Sequence, residues 1–315
     1  MSFIDQYKSG LGVDISEHHV RFAKVNLFNK IEWLHEITLP EGLVVDERVV
    51  KAEDLKKIIE EAIKKTPIAG SRLKTTLLMP ESRVFSTSFI LEDGFEQATF
   101  TREALSRAQK DIPVPFGQAQ TSVSKAGREE KGTRVGVYAV EKSIFESFKA
   151  VFDLPYFQIV AVEANTKALW RLVTSVGSKD VLPKKNNQLI GIVDIGNSWM
   201  NVSLYTASGA TLYSRSTSYS GTSQKAVESI IETIRETVVY FSQEKREISS
   251  FILAGVEAED KVIEEKEMVI KKIGEIVKVA NHSPKEIHTY GAAIGAALRT
   301  VHLRRDAYQH NLLSR

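Results

Sequence analysis

Asp14 and Asp194 stand 180 residues apart in the same setting, each closing an apolar run and opening a small turn. The later copy reads Leu189-Ile190-Gly191-Ile192-Val193-Asp194-Ile195-Gly196-Asn197-Ser198, and the earlier one Leu11-Gly12-Val13-Asp14-Ile15-Ser16-Glu17-His18-His19. A carboxylate beside a permissive turn, whose N–H groups can share one concavity, suits phosphate carried with Mg2+, which prefers carboxylate, water and phosphate oxygens. Asp14 and Asp194 are therefore candidate Mg2+ residues acting through water. Ser16, Gly196, Asn197 and Ser198 are candidate phosphate-turn residues. Asp, Gly and Asn also build ordinary turns, and it is the repetition that favours a site.

Each aspartate needs a buried strand to deliver it, and the short β-branched runs before both have that character. The two copies continue alike, with an alternating strand, a polar turn and a third strand (Ile31 to Ile37; Ala210 to Ser216). An amphipathic helix follows each, through Leu55, Ile58, Ile59, Ala62 and Ile63, and through Val227, Ile230, Ile231, Ile234, Val238 and Phe241. A strand follows each helix, Leu73 to Met79 and Phe251 to Leu253. This internal β-β-β-α-β repeat predicts an α/β protein of two similar lobes.

From Pro80 to Tyr138 the order breaks, with Val84 to Leu91 strand-like and Arg102 to Lys110 helical, as in an inserted subdomain. A strand over Arg134 to Val140, a helix through Ile144, Phe148, Val151 and Phe152, a strand over Gln158 to Val162 and a helix over Asn165 to Val176 complete the first half. The polar run 177–187 reads as a linker. A charged helix is expected over Glu257 to Ile276, with Lys261 to Lys272 as its solvated face. The small residues of Tyr290 to Arg299 suit a helix in close contact with its neighbour. The expected division is 1–79, first lobe; 80–136, inserted subdomain; 137–182, first lobe continued; 183–288, second lobe; 289–315, a helix returning to the first lobe.

The 315 residues are 43% apolar and 26% charged, enough for a large core. A net charge of +2 gives no reason to expect nucleic acid, and the lack of cysteine removes disulfides and thiolate chemistry. No apolar run reaches membrane-spanning length, and Met1 to Lys8 has no signal-peptide character, so a cytoplasmic protein is expected. His18-His19 reads as turn or edge residues, Trp170 and Trp199 as core, and Arg304-Arg305 as a solvated end. Glu232 and Arg235, one helical turn apart, are spaced either to touch a ribose or to form a surface ion pair.

Together these features resemble the actin-like ATPase superfamily and, within it, the PilM family of cytoplasmic type IV pilus assembly proteins. The resemblance rests on Gly12 to Ser16, on Val193-Asp194-Ile195-Gly196, on Glu103-Ala104 with Ile112-Pro113-Val114-Pro115-Phe116, on Glu232 and Arg235, and on Ala292 to Arg299. It implies an actin-like (ribonuclease H-like) duplicated bilobed fold with an FtsA-like inserted subdomain. It implies an ATP and Mg2+ site, weak or degenerate, formed by Asp14, Ser16, Asp194, Gly196, Asn197, Ser198, Glu232, Arg235 and Gly255. It also implies a scaffold at the inner face of the membrane, holding the cytoplasmic N-terminal peptide of a PilN-like protein in a groove involving the inserted subdomain, with other pilus components and self-association as further partners. Val84 to Leu91 is a candidate strand for that groove.

The departures bear on chemistry. Glu17 puts a carboxylate where a phosphate would approach, and a Gly-Gly pair is reduced to Ala254-Gly255. Asn165, with Glu163 two residues earlier, stands where the wider superfamily can have a water-positioning Glu. An active ATPase or sugar kinase is the alternative, but no general-base aspartate with supporting context is evident. An FtsA-like filament protein is another, and Val301 to Arg315 lacks the long apolar face of a membrane-binding helix.

Overall fold

The computed structural model describes residues 9–92, 94, 96–129, 131–185, 187–196, 199–218, 224–256, 258, 269–302 and 311–313. The chain begins with a meander of β1 (Ser9–Ile15), β2 (His19–Asn26) and β3 (Ile31–Thr38). A two-residue hairpin, β4 (Val44–Val45) and β5 (Arg48–Val49), leads to α1 (Ala52–Ile63) and β6 (Leu73–Met79). Leu55, Ile59 and Ile63 of α1 recur every four residues and are all buried, which is why this stretch lies on the sheet as a helix. Next come β7 (Phe85–Leu91), α2 (Gln97–Ala108), β8 (Ala119–Glu129) and β9 (Gly132–Glu141), then α3 (Lys142–Val151), β10 (Phe157–Ala164) and α4 (Asn165–Val176). The second half contains β11 (Gln188–Ile195), β12 (Trp199–Thr206), β13 (Thr211–Ser218), α5 (Gln224–Gln243), β14 (Glu247–Ala254), β15 (Ile270–Lys272), α6 (Ile273–Ile276) and α7 (Pro284–Val301).

These strands form two five-stranded sheets, ordered β10-β6-β1-β2-β3 and β13-β12-β11-β14-β15, and a separate three-stranded sheet ordered β7-β9-β8. The duplication holds to the residue. Asp14 pairs with Arg21 and Arg21 with Glu36 across β1, β2 and β3; Asp194 pairs with Asn201 and Asn201 with Ser216 across β11, β12 and β13. All three positions carry the same 180-residue offset, so both sheets present a polar row at the same place. This is the duplicated α/β architecture that the repeat predicted.

One core cluster joins the two halves, taking Val25 and Ile31 from the first sheet, Ile190 and Tyr205 from the second, and Leu172 and Ala297 from α4 and α7. Helix α7 starts on a Ser283 cap whose hydroxyl accepts from the Glu286 N–H at 3.2 Å, with Pro284 at its first position. It presses onto β1 at Gly12, where a Cβ would lie 2.5 Å from Ala297 N and nearer still to Ala293 O. The density of small residues in α7 is what permits this approach.

One expectation needs correction, and one strand was not foreseen. The helix foreseen over Glu257 to Ile276 is confined, in its described part, to Ile273–Ile276, because Ile270–Lys272 pairs parallel with β14 as β15 and satisfies backbone groups along that edge. Residues 257 and 259–268 lie outside the described residues, as do Asn197, Ser198, Met1 to Lys8 and Arg304-Arg305. Strand β8 was not foreseen at all. Of its eleven residues only Ser124 is fully buried, so it lacks the apolar alternation that marks a strand. Among the described residues no helix is long and apolar enough to cross a membrane.

Candidate functional site

The ends of β1 and β11 line one cavity, as the duplicated aspartates require. Asp14, Ser16, Asp194, Gly196 and Gly255 all border it. Glu232 and Arg235 do not; both lie exposed on α5, away from the cavity lining. Trp170 is buried and stacks on Tyr205 at 5.9 Å, whereas Trp199 is half-buried and borders the cavity. His18 and His19 sit at the turn and at the start of β2.

Both turns close with the same backbone bond. The Ser16 N–H donates to His19 O at 2.8 Å, and the Gly196 N–H donates to Trp199 O at 2.9 Å. The leading amide of each turn is thus engaged within the turn, and Ser16 Oγ also accepts from the His19 N–H at 3.2 Å. In the first turn the remaining amides belong to Glu17 and His18, which border the cavity.

Four carboxylates, Asp14, Glu17, Glu47 and Asp194, border the cavity together with Arg21 and the imidazoles of His18, His19 and His288. Asp14 is buried and accepts from Asn165 Nδ2 at 3.3 Å; burial pushes its pKa up, against the pull of Arg21 and Asn165. Asp194 is pushed up to about 7, by burial first and then by Asp14, Glu47 and Glu81, with Arg21 opposing. Glu47 arrives on the β4–β5 hairpin, where Asp46 and Glu47 have φ of 47° and 55°, and its pKa is raised chiefly by burial. Arg21 is shared, since its Nε donates to Glu36 at 2.6 Å. Arg21, Glu47 and His288 were not singled out from the sequence. Arg21 faces Asp14 only through strand register, and Glu47 and His288 reach the cavity from distant segments.

Gly255, with φ of +94°, lets the chain after β14 lie against the end of β11. A Cβ there would come within 2.7 Å of Asp194 Oδ1 and closer to the Ile195 carbonyl. This packing role is local to the second lobe.

In composition the cavity fits Mg2+. Closely spaced carboxylates with raised pKa values are relieved by a divalent cation, which supplies positive charge to phosphate oxygens when bound. Among the described residues no group of three or more His, Asp or Glu is arranged to hold a metal directly. In volume the cavity is small. It measures approximately 100 Å³, against roughly 300–1,000 Å³ for typical ligand pockets. A whole nucleotide would require the cleft to widen.

Glu163 is committed elsewhere. It is fully buried and clamped by two arginines, with Arg171 Nη2 donating to Oε2 at 2.7 Å, a second Arg171 bond to Oε1, and Arg299 Nη1 on Oε2. The carboxylate nearest in sequence to the start of α4 is thus a structural tie between β10, α4 and α7. Asn165, an amide, takes the place at the head of α4.

The raised Asp194 pKa has a definite sign. Neutral Asp194 is favoured in the folded state, so its contribution to stability is complete below its ordinary value of 3.8 and is lost as pH rises through about 7. Asp194→Asn removes this loss. Because Asp194 is partly exposed, the expected gain at pH 8 in metal-free buffer is only about 1–2 kcal/mol relative to pH 4. Denaturant unfolding at both pH values checks it, and an equal effect of the substitution at both would contradict it.

Among solved structures, the chain is similar to one from a PilM-PilN type IV pilus biogenesis complex, at a TM-score of 0.74 and 15% identity, over 93% of this chain and 98% of that one. It is also similar to the cytoplasmic domain of EpsL, an inner membrane component of the Vibrio cholerae type II secretion system, at a TM-score of 0.54 and 10% identity, over 98% of each. At these identities the likeness concerns the fold. No curated protein matches the sequence. The sequence does match the family described as Type IV pilus assembly protein PilM over residues 12–247, well over half of its length, and the chain belongs to that family.

Proposed function

We propose that this PilM-family protein is a cytoplasmic scaffold of the type IV pilus inner-membrane platform, holding the cytoplasmic peptide of a PilN-like protein and taking Mg2+-ATP in its cleft without hydrolysing it. The observation that carries the non-hydrolytic reading is the clamp on Glu163, together with Asn165 at the head of α4. Asp14 and Asp194 face the metal through water, and nucleotide entry is coupled to widening of the cleft. The division into first lobe (1–79 and 137–182), inserted subdomain (80–136), second lobe (183–288) and returning segment (289–315) is part of the same proposal.

The peptide groove is best supported on the first-lobe side of the inserted subdomain. A groove of about 620 Å³ lies there between Pro113, Val114 and Pro115 and the α3 end marked by Glu141, Lys142 and Glu146. It offers an apolar wall and charged residues, as an extended segment requires. Strand β7, the other candidate, is an edge strand but lies along β13, towards the second half. The test is capture of the full chain by the immobilised cytoplasmic N-terminal peptide of the PilN-like membrane protein. Specific capture is expected; none, with or without nucleotide, would overturn the partner assignment.

A further inference from the structure

Asn311–Leu313 is seated on the first lobe as a bound peptide would be. Leu312 is completely buried as a member of the first-sheet core cluster, and Leu313 packs against that core. The Leu312 N–H donates to Val162 O at 2.8 Å, and the Val162 N–H donates to Asn311 Oδ1 at 2.9 Å. These bonds extend the outer edge of β10, which is an edge strand of its sheet. Asn311 Nδ2 donates to Val160 O at 3.2 Å, and Val160 is the residue of β10 that the bulge leaves out of its pairing with β6. The Asn311 N–H donates to Ser122 Oγ at 2.9 Å, on β8 of the three-stranded sheet. Three residues thus bridge two sheets, and residues 303–310 separate them in sequence from the C-cap of α7, His302.

We infer that Asn311–Leu313 is an intramolecular peptide ligand, occupying a strand-addition site on the β10 edge that an extended Asn-Leu segment in trans would take in its place. Main-chain bonds to an exposed strand give such sites affinity, and side-chain pockets give them selectivity. Here the Asn311 amide reads the bulge, and Leu312 fills the apolar pocket. The inference shares with the reading above the docking of an extended peptide but concerns a different place, since Ser122, Val160 and Val162 do not line the groove at Pro113 to Pro115 and Glu141 to Glu146. A tethered segment is present at an effective concentration on the order of millimolar, so it suppresses binding of the same sequence in trans.

Hydrogen exchange of the wild-type full chain is the first test. The 311–313 amides are expected to exchange by local opening, at least a hundredfold faster than those of β1. Exchange of both only on global unfolding would make the segment a fixed part of the core and overturn the inference. The second test titrates a labelled synthetic peptide of residues 309–315 into wild type and into the full-length Asn311→Ala/Leu312→Ala chain. The variant is expected to bind at least tenfold more tightly than wild type, and a peptide carrying both substitutions is expected to bind neither. Equal binding by the two chains, or none by the folded variant, would overturn the inference; if the variant does not fold, the exchange result decides. Capture of the PilN-like peptide is a separate arm. Failed capture beside a binding 309–315 peptide would sink the partner assignment and leave this inference standing.

Discussion

Glu163→Gln is expected to lower folding stability by about 3–5 kcal/mol, because it removes the buried carboxylate charge that Arg171 and Arg299 share. Glu163 is fully buried, and Arg171 and Arg299 are each about 3% exposed, so water does little to offset the loss. Arg171 also donates to Gly295 O at 3.0 Å and would keep that bond, whereas Arg299 sits on α7 and loses an ion pair to β10. The damage should therefore centre on the seating of α7. Equilibrium denaturation checks the magnitude, and a variant within about 1 kcal/mol of wild type would show that the clamp is not a structural tie. A carboxylate held this way is also poorly placed to orient water, which links the stability prediction to the proposed lack of hydrolysis.

Gly12→Ala is the second large effect, expected at about 3 kcal/mol. The added methyl would meet Ala293 O and Ala297 N, backbone atoms of a helix that cannot swing aside as a flexible side chain can. Helix α7 must shift as a unit, and with it His288, Thr289 and Ala292, which border the cavity. Gly70→Ala is the control, since nothing lies within 4 Å of a Cβ built there. A thermal melt of Gly12→Ala indistinguishable from that of Gly70→Ala would contradict the close seating of α7 on β1.

The architecture was legible because the repeat is strict. Strands β1 and β11 sit 180 residues apart in sequence, and their Asp–Arg and Asp–Asn pairings keep that spacing in register. Helix α4 could be read to its exact ends from Ala168, Leu169, Leu172 and Val173, all of which are buried. Less of the candidate site was legible, since its properties depend on contacts between distant segments. The role of Glu163 depends on Arg299, 136 residues away. Asp194 is perturbed by Asp14, Glu47 and Glu81, each from the first 81 residues. The turn glycine Gly196 looked like a phosphate donor, but its N–H is spent on Trp199 O, which only the folded turn reveals. Strand β8 was invisible for a different reason, being polar on both faces.

The most direct test of a nucleotide-holding, non-hydrolysing cleft is calorimetric titration of the full chain with Mg2+-ATP at millimolar concentration, followed by assay of the same sample for released phosphate. Binding heat that disappears in Asp194→Ala, with no phosphate beyond that from nucleotide alone, is the predicted result. Repeated turnover would contradict it by requiring a working catalytic group at the head of α4, and the absence of heat with both ATP and ADP would contradict it by leaving the duplicated aspartates a purely structural role.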